Sequence, residues 1–207
     1  MGAYARPEHW TETRYEVHDA LVRSVETIAA AAEAFADNFG REYGLEYGGL
    51  VETYGPTDAE LALVALGSIT GTIRHVLAEN RESVKLVRPR VIRPFPAEAL
   101  RDALAGVEAV GVLQKEVSPG YQGSFGGELK SALYGSEVDP IVKSYVVGLA
   151  GRDVTTAEIE SIVVDVAAAA VTGSPTSFTA EETWPQLRRD ILPERDVDRP
   201  PAEVTPE

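Results

Sequence analysis

The chain has 207 residues, 44% of them hydrophobic, no cysteine and a formal net charge of −14. That length and apolar content suffice for one well-buried domain with appendages. The missing cysteines exclude disulfides, thiol nucleophiles and thiolate ligands for zinc or an iron–sulfur cluster. The acidic balance argues against nucleic acid, which needs a basic footprint. No run of about 18 uncharged apolar residues is present to span a membrane. The opening MGAYARPEHW lacks the apolar core of a signal peptide, so a cytoplasmic location is expected. Only four of the 19 basic residues are lysine, namely Lys85, Lys115, Lys130 and Lys143. That bias suits a high-salt cytoplasm, a GC-rich genome, or simply a solvated acidic surface.

Residues 1–15 mix Pro7, aromatics and charges and read as a connecting arm. Over 17–39, Leu21, Val25, Ile28, Ala32 and Phe35 recur at helical spacing, followed by Gly40 and Gly44 as stop signals. Residues 58–66 read as a buried strand closed by Gly67. A helix from Thr72 to about residue 82 follows, started by the Ser68 and Thr70 hydroxyls. A second strand, 84–92, contains Pro89, which donates no ladder hydrogen bond and predicts an edge position or a bulge. Then come a short helix (97–104), a strand (109–113), a helix (128–134) and a strand (143–149). A last helix, capped by Thr155 or Thr156, runs to about 171.

This alternation predicts a three-layer, open, mostly parallel α/β sheet with helices on both faces, over residues 16–173. Residues 174–207 hold six of the 13 prolines and read as a largely flexible acidic tail. Within it, Trp184, Leu187, Ile191 and Leu192 are spaced to dock on the domain or on a partner, with the chain's own domain the favoured site.

Two strand-to-helix loops are the candidate binding sites. Gly67, Ser68, Thr70, Gly71 and Thr72 lie where helix amides and hydroxyls favour a phosphate or carboxylate. The alternative is a glycine turn with capping hydroxyls, and without a lysine it is no P-loop. The second loop, 118–128, carries Gly120 and Gly123. Its glycines recur every third residue, which misses the dinucleotide spacing and favours close passage to another backbone. His9, His18 and His75 lack paired metal spacing, and no G-x-S-x-G occurs. Arg93 and Arg152-Asp153 are the best polar candidates, with pairing to an acid inside the domain the favoured reading and reach to an anion or a subunit interface the alternative.

Seven blocks carry a further reading. They are Arg14-Tyr15-Glu16-Val17-His18, Phe39-Gly40-Arg41-Glu42-Tyr43-Gly44, and Asp58-Ala59-Glu60 with Gly67-Ser68. Arg90 with Arg93-Pro94-Phe95-Pro96, Ser118-Pro119-Gly120 with Gly123, Leu129-Lys130-Ser131-Ala132-Leu133-Tyr134, and Gly148-Leu149-Ala150-Gly151-Arg152-Asp153-Val154 complete the set. In this order, from about Tyr4 to Val166, they resemble the alpha subunit of 2-oxoacid:ferredoxin oxidoreductases of the pyruvate and 2-oxoisovalerate type. The part resembled is domain II, which is transketolase C-terminal-like. Gln114 stands where the resemblance leads one to expect an acid, Ala150 where glycine is usual, and Pro89 within a strand.

The resemblance implies a non-catalytic assembly domain. The complex would oxidatively decarboxylate a 2-oxoacid to acyl-CoA and pass electrons to ferredoxin. Thiamine diphosphate, CoA and iron–sulfur clusters would be carried by other domains or by beta-, gamma- and delta-type subunits. No GDG motif for the diphosphate occurs here. This chain would bind no cofactor or metal alone and hold no catalytic residue. Tyr43, Tyr47, Tyr121 and Phe125 are the expected interface aromatics, or else close over the domain's own core. A competing reading is a free-standing Rossmann-like module binding an anion or a nucleotide such as CoA through both glycine loops.

Overall fold

The computed structural model describes residues 6–43, 49–79, 83–172 and 182–192. Its centre is a five-stranded sheet in the order β1-β3-β2-β4-β5, with strands Val51–Tyr54 (β1), Leu61–Ala65 (β2), Val84–Pro89 (β3), Ala109–Gln114 (β4) and Ile141–Val146 (β5). β2 to β5 are parallel, and β1 runs antiparallel to β3. The helices are Pro7–Arg23 (α1), Val25–Tyr43 (α2), Ile69–Glu79 (α3), Ala97–Ala103 (α4), Ser124–Leu133 (α5) and Thr156–Thr172 (α6).

Every residue of β2 and of β4 is buried. Strands buried on both faces are near-continuous apolar runs, and LALVA and AVGVLQ have that composition. Their side chains alternate between two cores. Leu61, Leu63 and Ala65 pack with Ile73 of α3 and with Ile159, Ile162 and Val166 of α6. Ala62 and Val64 pack on the opposite face with Leu100 of α4 and with Phe125, Leu129 and Leu133 of α5. Each such Leu, Ile or Phe contributes roughly 1.5–3 kcal/mol when fully buried. Gly111 is the narrow point of the first core. A Cβ there would meet Val166 Cγ2 at 2.8 Å and Leu63 Cδ2 at 2.9 Å, so α6 packs closely on β4 because residue 111 has no side chain.

The three-layer sheet predicted from the alternation is present. Three local expectations change. Pro89 sits at an edge of nothing: β3 is internal, between β1 and β2. It is tolerated because the β2 ladder already ends at Val87, two residues before the proline. β1 has no counterpart among the sequence-based strands, since four residues with Glu52 at the edge carry no apolar alternation. It is held by main-chain pairing and by Glu52, which accepts from Arg90 Nη2 at 2.8 Å and faces Arg88 across the ladder. Helix starts at Pro7, inside the stretch read as an arm, and breaks at Ser24 into α1 and α2.

The turn after β5 carries a backbone conformation that L-residues disfavour. Ala150 has φ 55° and ψ 29°, between Gly148 at φ 66° and Gly151 at φ 84°. The left-handed region costs a residue with a Cβ about 1–2 kcal/mol. Replacing it with glycine also loosens the unfolded chain by about 0.4–1 kcal/mol. Ala150→Gly should therefore stabilise the domain by roughly 0.5–1 kcal/mol in urea unfolding. A lower unfolding midpoint in the variant would contradict this.

Candidate functional site

In a sheet of this topology the connection direction reverses between β2 and β4, and ligands collect outside the carboxyl ends of the strands. Three helix N-termini open there: α3 after β2, α5 after β4 and α6 after β5. The Gly67 and Gly123 loops thus flank neighbouring strands at the same edge of the sheet.

At the β2–α3 turn Gly67 takes φ +70°. Thr70 is 4% exposed, and its hydroxyl donates to the Gly67 carbonyl at 2.7 Å. That hydroxyl closes the turn from inside. Ser68 and Gly71 are exposed, Thr72 is half-buried, and a Cβ on Gly71 would meet nothing within 4 Å among the described residues.

The β4–α5 loop begins with a turn over Ser118-Pro119-Gly120-Tyr121, closed by Tyr121 N–H donating to Ser118 O at 2.9 Å. Proline second and Gly120 third at φ +80° match the demands of a type II turn. Gly123 has a different task. A Cβ on it would overlap the Gln114 side-chain amide at 2.2–2.5 Å, so the close approach is to a side chain and not to the backbone expected. Around the first turn of α5, Phe125 N–H donates to Glu116 Oε1 at 3.1 Å and Gly126 N–H to Gln114 Oε1 at 3.0 Å. Gly123 N–H and Gln114 Nε2 both donate to Glu182 Oε1, the latter at 2.6 Å. Carboxylates at a helix N-terminus are favoured by its dipole. Burial lowers the pKa of Lys130, and the nearby Glu182 charge opposes that shift.

Glu182 belongs to the segment 182–192, which crosses this edge of the sheet. Thr183 extends the sheet beside β5: its N–H donates to Ser144 O and its carbonyl accepts from Val146 N–H, both at 2.9 Å. Gln186 Oε1 accepts from Gly148 N–H at 2.8 Å, and Arg152 donates to the Gln186 carbonyl. The apolar residues singled out in this segment are not its anchors. Trp184 and Leu187 are 37% exposed, and Ile191 and Leu192 more so. Docking on its own domain rests on polar groups that carry no hydrophobic signal in the sequence.

Between this segment, β5 and α6 lies a groove of about 510 Å³, lined by Tyr145, Glu158, Ser161, Asp165, Thr183 and neighbours. Thr155 and Glu158 form a capping box at the start of α6, with Glu158 Oε2 accepting from Thr155 N–H at 2.7 Å. Asp165 Oδ2 accepts from Lys143 Nζ and from Tyr145 Oη, each at 2.6 Å. Burial and the Asp165 contact push the Tyr145 phenol far above its ordinary value, so it stays protonated.

Arg93 makes a two-pronged pair with Glu128, with Nη1 to Oε2 at 2.9 Å. His9 and His18, both on α1, and His75 on α3 are exposed. Among the described residues no group of three or more His, Asp or Glu could hold a metal ion. Phe125 is 6% exposed against Phe95, so it closes over the domain's own core, whereas Tyr121 is 65% exposed. Tyr47 and the Tyr43 side chain lie outside the described residues.

Burial raises the Asp165 pKa, but hydrogen bonds from Lys143 and Tyr145 and the Lys143 charge bring it to a net value below the ordinary one. A carboxyl with a depressed folded pKa adds stability that is full above its unfolded value of about 4 and is lost as pH falls through the folded value. The stability gap between wild type and Asp165→Asn, from urea unfolding, should be largest near neutral pH and shrink below about pH 4. A gap that widens on acidification would contradict the assignment.

Comparison with known proteins bears on what this arrangement is for. Residues 59–159 match the family model described as pyruvate:ferredoxin oxidoreductase core domain II. The chain is 41% identical over 166 residues to pyruvate synthase subunit PorA of Methanothermobacter thermautotrophicus, covering 79% of this chain and 41% of that one. It is 32% identical over 192 residues to ketoisovalerate oxidoreductase subunit VorA of Pyrococcus horikoshii, covering 91% and 47%. A solved 2-oxoglutarate:ferredoxin oxidoreductase from Magnetococcus marinus is 21% identical, with TM-score 0.43 over 64% of this chain and 21% of that chain. The chain spans less than half the length of the curated relatives it matches. Residues 59–159 are thus the part of the chain that is similar to core domain II of pyruvate:ferredoxin oxidoreductases.

Proposed function

We propose that this chain is the assembly domain of a 2-oxoacid:ferredoxin oxidoreductase alpha subunit. In the proposed complex a pyruvate-like 2-oxoacid is oxidatively decarboxylated to its acyl-CoA, with electrons passing to ferredoxin in the cytoplasm. Thiamine diphosphate, CoA and the iron–sulfur clusters sit on other domains and on beta-, gamma- and delta-type subunits. The observation that carries this reading is the domain II match over residues 59–159, seconded by subunits of two such enzymes among the relatives. Those matches favour it over a free-standing anion or nucleotide module.

The helices α1 and α2 support the assembly role. No described side chain of residues 7–40 is buried. Trp10, Val17 and Phe35 are 49%, 52% and 57% exposed, and Leu21 and Val22 are exposed as well. Trp10, Arg14, Val17 and Leu21 follow at steps of four, three and four, the spacing of a helix-packing seam. Helices this poorly covered gain most of their stability from packing against something else. In the proposed role that surface is covered by the rest of the oxidoreductase.

The purified chain, given thiamine diphosphate, CoA and a 2-oxoacid, should reduce no viologen dye. Tagged and co-expressed with the thiamine-binding subunits, it should retain them. Val17→Asp with Phe35→Asp should weaken that retention, and unfolding free energy should stay within about 0.5 kcal/mol, as for exposed sites. Turnover by the chain alone, or a monomer that ignores those subunits, would contradict the proposal.

A further inference from the structure

The α5 N-terminus holds a carboxylate in a setting built around it. Glu182 Oε1 takes two donors, the Gly123 N–H and Gln114 Nε2, while Gln114 is itself 4% exposed and fixed by Gly126 N–H on its Oε1. Glu182 Oε2 is buried with no hydrogen-bond partner among the described residues. A second observation is independent of the helix end. Ser144 is 7% exposed, its hydroxyl has no hydrogen-bond partner among the described residues, and it lies 2.7 Å from where a Cβ on Gly126 would be. An unused buried hydroxyl therefore faces the first turn of α5, beside the carboxylate's donors. Gly123 and Gly126 admit no side chain without displacing Gln114 or Ser144, so the site is kept open by composition.

We propose that the β4–α5 turn is a carboxylate-binding site whose resident ligand is the chain's own Glu182, and that this contact latches residues 182–192 across the carboxyl edge of the sheet. The site recognises a carboxylate through one backbone N–H and one amide N–H, with the helix dipole favouring its charge. Its place is the one where a sheet of this topology receives ligands. A tethered group has a millimolar effective concentration, so a free carboxylate of acetate size competes poorly while Glu182 is present. Removing the Glu182 carboxylate frees the site for it. Gln114 is the discriminating residue: a carboxylate at that position has no N–H to offer and repels a bound anion. The inference is independent of the assembly role, since it concerns the isolated chain.

The test is amide exchange on the full chain, comparing wild type with Glu182→Ala and Gln114→Glu. In both variants exchange at Gly123, Thr183 and Val146 should quicken by about tenfold or more, as expected for local opening of a docked segment. Exchange in β2 should be unchanged, which reports that the domain remains folded. Acetate, added to Glu182→Ala well above the tether's effective concentration, should restore protection at Gly123, and equal chloride should not. Acetate should fail in Gln114→Glu. Unchanged exchange in Glu182→Ala overturns the latch. Faster exchange with no acetate-specific protection of Gly123 overturns the binding site. If Glu182→Ala loses β2 protection, Glu182→Gln decides: it keeps an acceptor without the charge, and wild-type exchange in it overturns the charge-dependent latch.

Discussion

β2 and β4 lie side by side with all of their residues buried, so both faces of the sheet must be covered by helices. The rest of the architecture follows from that constraint. Each parallel connection has to cross a face, which places α3 and α6 on one side and α4 and α5 on the other. It also brings the Gly67, Gly123 and Gly148 turns to one edge. Gly111, without a side chain, lets α6 approach the centre of the sheet. Once those four helices are in place the sheet faces are filled, and α1 and α2 are left with their apolar side chains in water.

The exposed pair of helices and the occupied edge point in one direction. The edge where an α/β enzyme would bind substrate is crossed by residues 182–192, and its α5 amides are taken by the chain's own Glu116, Gln114 and Glu182. Several polar groups near it are engaged in structural bonds, namely Thr70 with Gly67, Thr155 with Glu158, and Lys143 and Tyr145 with Asp165, whereas the Ser144 hydroxyl and Glu182 Oε2 have no partner among the described residues. The exposed surface left uncovered on α1 and α2 is apolar. That distribution accords with the proposed assembly role.

The sheet was legible because its strands are apolar runs separated by helix-length segments, the first of them closed by Gly67. The resemblance carried by blocks such as Arg93-Pro94-Phe95-Pro96 reached the same family as the match over residues 59–159. What stayed hidden depended on partners distant in sequence. β1 is four residues whose strand character comes from β3. Gly126 and Gly127 read as loop residues, yet α5 starts at Ser124, because Glu116 accepts from Phe125 N–H, Gln114 from Gly126 N–H and Glu182 from the N–H of the N-cap Gly123. Pro89 suggested an edge strand, since the sequence does not show where the β2 ladder stops. Glu182 was one acid among 33, and nothing local marks it as the one seated on α5.

Amide exchange across residues 7–43, in the chain alone and after mixing with thiamine-binding subunits of a homologous 2-oxoacid:ferredoxin oxidoreductase, tests the central claim most directly. The account predicts rapid exchange throughout α1 and α2 in the free chain and slow exchange in the mixture, with β2 and β4 equally protected in both. Equal protection of α1 and α2 with and without those subunits would contradict it.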